Sequence, residues 1–308
     1  IENRLSELWS IFDFLMPGLL GTRESFAKRF ESPVEHAEGD SAARLQALVS
    51  PFVLRRVKED VVADLPEKIE DTVMAQLTGE QRKLYLANQD RIAQQVQHRE
   101  ANEFKKDKLK VLAELTKLRQ ICCDPHLHYE DYKAGSAKLD ACMELVHGAL
   151  DGGHHILLFS QFTGMLDIIG KRLAKEDIAF LKLTGASSKE SRAKMVEQFQ
   201  AGEVPVFLIS LKAGGVGLNL TAADVVIHYD PWWNVAAQDQ ATDRAHRIGQ
   251  QHTVTVYKLI AKDTIEERIM QMQESKRDLV NSVLGGDGVS SALFTREDVL
   301  ALLGGDGR

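Results

Sequence analysis

Apolar residues in this chain recur at two different periods, and the change from one to the other divides it. Over the first 64 residues the period is helical: Leu5, Leu8, Trp9, Phe12 and Leu15 follow at three- and four-residue steps until Pro17 and Gly18 interrupt them. Glu70 to Leu77 alternates instead, as a half-buried strand does. From Gly79 to about Asp124 the pattern predicts one or two long helices, with Leu109, Leu112, Leu115 and Leu118 as an apolar stripe. An amphipathic helix follows over Ser136 to Leu150, ended by Gly152-Gly153. Beyond it, short apolar runs alternate with helical segments of roughly 12 residues. The runs are His155 to Ser160, Ile178 to Leu183, Val204 to Ile209, Asp224 to Tyr229 and Val254 to Leu259. That alternation predicts an α/β fold, a parallel sheet with crossover helices. Ser187 and Glu190 form a capping box for the helix that buries Met195, Val196 and Phe199. Asp263 with Glu266 caps a last long helix reaching to about Val283. Past Gly285 the chain is Gly-rich, and Ser291 to Leu303 adds a short final helix.

Composition narrows the class. At 308 residues the chain holds about two domains of ordinary size, and 44% hydrophobic content supports a real core. No apolar run approaches the roughly 20 residues that a membrane span needs, and no signal peptide opens the chain. Three cysteines, two of them adjacent, make no disulfide framework and point to a reducing compartment. A formal net charge of −7 argues against a protein that coats nucleic acid non-specifically. It leaves room for a local basic track. Lys105, Lys106, Lys108 and Lys110 cluster, with Lys106, Lys110 and Lys117 on one predicted helix face, and Arg55, Arg56 and Lys58 form a second group.

Residues 204 to 250 concentrate the candidate chemistry. Val206 to Ile209 is a run suited to a strand buried on both faces. Lys212, Ala213, Gly214, Gly215 and Gly217 follow where that strand ends, and glycines there let backbone N–H groups approach an anion. A second run, Val225 to Ile227, delivers Asp230, Pro231, Trp232 and Trp233 to the same sheet edge. On the helix predicted next, Gln240, Asp243, Arg244 and Arg247 fall at i, i+3, i+4 and i+7 and share one stripe. The plain alternative is an Asp243–Arg247 pair on a solvated face, worth a few tenths of a kcal/mol. The setting favours function, because loops at one edge of an α/β sheet are where such folds hold ligands. A dinucleotide fingerprint fails, since Leu220 stands where its third Gly belongs. Cys122, Cys123, His126 and His128 suggest a metal site only superficially, because adjacent cysteines splay poorly around a tetrahedral ion.

SLKAGGVGLNLTAADVVIHYDPWW, followed by QDQATDRAHRIGQ, closely resembles motifs V and VI of the Swi/Snf-type ATPases, the DNA-translocating branch of helicase superfamily two. ILLFSQF, from Ile156, resembles motif IV, and LKLTGASSKESR resembles the signature after it. PFVLRRVKEDVVADLPEKI, from Pro51, is similar to the family's connector between lobes. Three positions depart from the pattern: Thr184 stands where Asp is usual, Leu211 where Thr is common, and Val235 where Pro commonly follows Trp-Asn. The compact insertions and the tail look more like bacterial members than nuclear ones. Residence in the bacterial nucleoid, or the nucleus of a eukaryote, follows as an expectation.

The resemblance implies a RecA-like parallel sheet with flanking helices, helical protrusions and a C-terminal brace helix. Residues 1–64 would be the end of the first lobe, a helical protrusion and the connector. Residues 65–135 would begin the second lobe with its own protrusion, 136–260 would be the second RecA-like lobe, and 261–308 the brace and tail. Neither a GxxxxGK[ST] phosphate loop nor an Asp-Glu-x-His box occurs in the 308 residues. Both, with the Mg²⁺ ligands, are expected in a first lobe upstream of Ile1, so this segment alone is not expected to hydrolyse ATP. Arg244 and Arg247 are implied as arginine fingers, with Gly217, Gln240 and Asp243 lining the ATP cleft. Ser160, Gln161, Lys212, Ala213 and Gly214 are implied as contacts to the backbone of double-stranded DNA, with a DNA-bound protein as a further target. A non-catalytic DNA- or protein-binding module is the rival reading; an RNA helicase is disfavoured by the DRAHRIGQ and PWWN stretches.

Overall fold

The computed structural model describes residues 5–32, 41–53, 65–98, 101–214, 218–232, 235–272 and 296–304, and the contacts divide the chain into two units. In the N-terminal one, α1 (Leu5–Leu15), α2 (Arg23–Phe26), a π-helical turn (Ala27–Glu31) and α3 (Ser41–Val49) enclose a small core. Leu8, Phe12, Leu20, Phe26, Phe30, Leu45 and Val49 are its buried members. Gly18 takes φ +86 just after α1, a left-handed turn that suits glycine. Leu15, predicted with the apolar face, is exposed, so the buried period closes at Phe12.

The second unit is built on a six-stranded sheet in the order β1-β6-β5-β2-β4-β3, with every pairing parallel. Its strands are β1 (Lys68–Gln76), β2 (Ile156–Ser160), β3 (Phe180–Leu183), β4 (Val206–Ser210), β5 (Val225–His228) and β6 (Val254–Lys262). β2, β4 and β5 are central and buried along their whole length, which is why they read as unbroken apolar runs. β1 is an edge strand and is mostly exposed, not half-buried as its alternation predicted. It meets β6 through Lys258, whose ammonium lies 2.6 Å from Glu70.

Helices cover both faces. α4 (Gly79–Gln97) and α5 (Ala101–Cys123) pack on each other; α6 (Ala137–Asp151) and α7 (Thr163–Lys175) pack with Ile156, Leu158, Leu208 and Ile227. The alternate residues Leu157, Phe159, Phe207 and Val226 face the other way, toward Phe199 of α8 (Lys189–Gln200). Leu220, Ala241 and Ala245 join that second cluster, so the loops of interest are seated on the sheet by their own apolar residues. Each full burial of such a side chain contributes about 1.5–3 kcal/mol. Short helices α9 (Leu211–Gly214) and α10 (Val235–Thr242) lie in those loops. α11 (265–272) follows β6, and α12 (Arg296–Leu302) packs on α4, where Gln89 donates to the Leu303 carbonyl at 2.6 Å. Among the described residues no helix is long and apolar enough to cross a membrane.

Three local expectations are corrected. The N-cap of α8 is Ser188, which accepts from Ser191 N at 3.1 Å; Ser187 instead accepts from Thr184 N. The turn before α11 is capped by Thr264, whose hydroxyl accepts from Glu266 N, while Asp263 adopts φ +59 and Glu266 points into the core. On α5 the buried stripe is Val111, Leu115 and Leu118, with Leu109 exposed. A strict three-residue spacing turns about 60° per step, so Leu109 lies about 180° from Leu118. The predicted extension of α11 to Val283 and the basic group Arg55, Arg56 and Lys58 lie outside the described residues, as do the Lys105, Lys106 and Lys108 side chains.

Candidate functional site

Because the strands are parallel, the C-terminal ends of β2, β4 and β5 share one edge, and the loops leaving them meet there. Asp230, just past β5 and almost fully buried, organises that edge. It accepts from the Ser160 hydroxyl at 2.6 Å and from Gln161 N at 3.0 Å. The Gln161 amide reaches back to Asp230 and to the Pro231 carbonyl, both at 3.3 Å. Arg119, from α5, lies over the Phe162 ring, donates to Gln161 Oε1 at 3.2 Å and also donates to the Pro231 carbonyl. A carboxylate and a guanidinium thus bracket the β2 and β5 loops with charge-assisted bonds. Neither role is legible in the sequence, where Arg119 looks like one more residue of a helix end.

The same geometry shows where the Ser160 side chain is committed. Ser160 is fully buried, its hydroxyl donating to Asp230 and accepting from Phe162 N at 3.1 Å, so its side chain shapes the loop. Gln161 is half-buried at the mouth of a cavity of about 400 Å³, which Thr163, Lys182, Thr184 and Ser210 also line. Ala213 is buried, with its carbonyl accepting from Arg192 at 3.2 Å, and Gly214 closes α9. Leu211 belongs to the core, which explains an apolar residue at that position. The Lys212 side chain, Gly215 and Gly217 lie outside the described residues.

The arginines occupy a turn, not a helix. α10 stops at Thr242, and Asp243 to Gly249 run as turns and bends, so the predicted stripe does not extend to Arg247. Four ties fix the turn. Thr242 Oγ1 lies 2.8 Å from His228 Nε2 at the end of β5. The Arg244 carbonyl accepts from Leu220 N at 3.0 Å. His246 Nε2 lies 2.7 Å from the Pro66 carbonyl, just before β1. Gln250, buried, donates to the carbonyls of Thr221, Ala223 and Ala245. Gln240, Asp243 and Arg247 are exposed, whereas Arg244 is buried. Burial pulls the Arg244 pKa down, the neighbouring Arg247 charge pulls it further, and Asp243 opposes both. Arg244 therefore lies within electrostatic reach of both Arg247 and Asp243.

The supposed metal ligands are committed elsewhere. Cys122 and Cys123 are buried thiols whose pKa values burial raises. His126 Nδ1 lies 2.7 Å from Asp124, and His128 Nε2 lies 2.5 Å from Gln120.

Comparison with known proteins is consistent along the chain. Residues 1–127 match the SNF2-related domain, and residues 137–249 match the helicase conserved C-terminal domain. A solved Sulfolobus solfataricus SWI2/SNF2 ATPase C-terminal domain is 32% identical, with 77% of this chain and 98% of that one covered at a TM-score of 0.62. This chain belongs to the SWI2/SNF2 ATPase family. The Sulfolobus solfataricus SWI2/SNF2 ATPase core in complex with dsDNA is 35% identical, covering 97% of this chain and 64% of that one, with a TM-score of 0.65. The putative ATP-dependent helicase/translocase YwqA of Bacillus subtilis is 41% identical over 308 residues, 96% of this chain and 33% of that protein. The chain spans 29% to 33% of the length of the first curated relatives it matches. The sheet described above is the family's RecA-like second lobe.

Proposed function

We propose that the chain is the C-terminal part of an ATP-dependent double-stranded DNA translocase, a hydrolase acting on ATP. The observation that carries this reading is the Arg244–Arg247 turn, whose backbone is tied to the segment entering β5 and to the Pro66 carbonyl just before β1. Neither DNA binding nor protein binding alone requires such a pair. Its charge fits the polyphosphate of a nucleotide. Arg247, exposed, and Arg244, behind it, would stabilise charge building on the transferred phosphoryl group, with Gln240, Asp243 and Gly217 lining the same cleft. Bound ATP with Mg²⁺ supplies that phosphoryl group, and the Mg²⁺ ligands belong to the family's first lobe.

Gln161, Lys212, Ala213 and Gly214 are the proposed grip on the DNA backbone. Contacts to phosphate carry no base code, so sequence preference is slight. A dsDNA complex of the Sulfolobus relative supports this reading. Naming of the relatives as ATP-dependent helicases supports ATP use. Such a protein works where DNA is held, the bacterial nucleoid or, in a eukaryote, the nucleus.

The test is the rate of ATP hydrolysis with and without duplex DNA, on protein extended upstream through the phosphate loop, for wild type and Arg247→Ala. A finger of this kind is worth about 10³ to 10⁵ in rate, or roughly 4 to 7 kcal/mol. The expected result is strong DNA stimulation that the substitution abolishes while DNA binding persists. Undiminished turnover by the variant, or none by the wild type, would return the chain to the binding-module reading.

A further inference from the structure

One amide holds the arginine turn from beneath. Gln250 Nε2 donates to the Ala223 carbonyl at 2.7 Å and to those of Thr221 and Ala245, both at 3.2 Å. Its Oε1 accepts from Gln251 N at 2.8 Å and His252 N at 2.9 Å. Thr221 and Ala223 belong to the loop that enters β5, Ala245 to the arginine turn, and the two amides to the approach to β6. An amide has two hydrogens for these three carbonyls, so one is shared, and only a side chain with donors and an acceptor at this reach satisfies all five groups. Two main-chain bonds complete the seam: Leu220 N donates to the Arg244 carbonyl at 3.0 Å, and Gln250 N to the Arg247 carbonyl at 2.9 Å. Both arginines therefore have their backbone oxygens anchored where Gln250 is anchored.

We infer that Gln250 is a positioning residue for the arginine pair, holding the turn against the β5 loop so that both guanidiniums are presented without rearrangement. The inference rests on the ATPase reading above. Mutual repulsion of Arg244 and Arg247 tends to spread an unliganded turn, and the bonds from Gln250 resist that spreading. Displacement of a group by about 1 Å costs on the order of 10²-fold in rate, so a positioning residue is visible in turnover even though it touches no substrate.

The test is a cycle of Gln250→Ala, Arg247→Ala and the double variant in the extended, DNA-stimulated protein. Gln250→Ala is expected to lower kcat by about 10²-fold, with the KM for ATP and the affinity for DNA held within about threefold. Because Gln250 acts through the arginine turn, the two losses are expected to combine to less than their product, the remainder reflecting Arg244. Multiplying losses, or a kcat for Gln250→Ala equal to wild type, would overturn the inference. Amide exchange in the same protein reads the seam directly. Leu220 N is expected to lose protection in Gln250→Ala while Leu208 and Ile227 in the central strands keep theirs. Unchanged protection at Leu220, or loss throughout the sheet, overturns the positioning role. If the wild type shows no DNA-stimulated hydrolysis, the functional reading fails, and exchange at Leu220 still decides whether Gln250 holds the turn.

Discussion

Lys138 and Glu266 form an ion pair, 2.8 Å apart, with neither side chain reaching solvent. The pair joins the first turn of α6 to the first turn of α11, and Glu266 also accepts from Ala261 N at 2.8 Å. Burial is the largest influence and works against the Lys138 charge, but Glu266, Cys123 and Asp230 together outweigh it and the net pKa is raised. A raised lysine pKa gives stability that is complete below the unfolded value and is lost only as pH rises through the folded one, so the pair does not weaken on acidification to pH 6. Lys138→Met strands a buried carboxylate and is expected to cost about 3–5 kcal/mol. Lys138→Met with Glu266→Gln keeps the acceptor for Ala261 N without the charge, and is expected to lose less. Urea unfolding of the three proteins checks the order; a double variant weaker than the single one would show that the charges, not the geometry, stabilise this seam.

His228 makes stability sensitive to acid. It is buried, stacked on Phe159 with centroids 5.5 Å apart, and its Nδ1 has no hydrogen-bond partner, so the ring has no acceptor for a second proton. Burial first and the Lys258 charge second push its pKa down to about 3. A depressed histidine pKa means the unfolded chain binds the extra proton first. The stability contribution is therefore present above about pH 6.5 and is lost as pH falls toward 3, by up to about 1.4 kcal/mol per unit. His228→Gln is expected to flatten that slope in thermal melts between pH 7 and 4. An unchanged slope would assign the acid sensitivity to other groups.

Arg119 is expected to resist replacement by lysine. The planar guanidinium serves Gln161 and Pro231 at once and lies over Phe162, a geometry that an ammonium cannot reproduce. Arg119→Lys is expected to cost about 1–3 kcal/mol and to weaken DNA binding several-fold by loosening Gln161, without changing ATP binding. Fluorescence anisotropy with labelled duplex, paired with nucleotide titration, separates the two. Equal losses of both affinities would show a general collapse of the edge.

The central strands were legible because β2, β4 and β5 are buried on both faces, and a parallel sheet leaves no other pattern for them than apolar runs. The edge strand β1 was legible in position but not in burial, since its exposure follows from lying last in the order, which depends on β6 far along the chain. In the candidate site, Arg244 and Arg247 were singled out by their setting and the family resemblance, not by spacing alone, and the expected helical continuity past Thr242 is absent: Thr242 pairs with His228, and Leu220 and Gln250 take the carbonyls that a longer helix would have used. Asp230 and Arg119 were missed as organisers because their partners are distant in sequence, and no local period records a contact of that kind.

α5 offers a direct comparison of sequence spacing with packing. Leu109 and Leu115 are identical in type and belong to the same apparent stripe, yet Leu109 is 82% exposed and Leu115 is 1% exposed. Truncating Leu115 removes a filled core position and is expected to cost about 2–5 kcal/mol, whereas Leu109→Ala is expected to stay within about 0.5 kcal/mol. Leu109→Lys is expected to be tolerated equally and to leave DNA-independent properties unchanged, since that surface contributes no burial. Chemical denaturation of Leu109→Ala and Leu115→Ala side by side measures the contrast. A large loss at Leu109 would mean that this face of α5 is covered in the folded protein, and the rotation of about 60° per three-residue step would then have to be taken up by an irregularity in the helix.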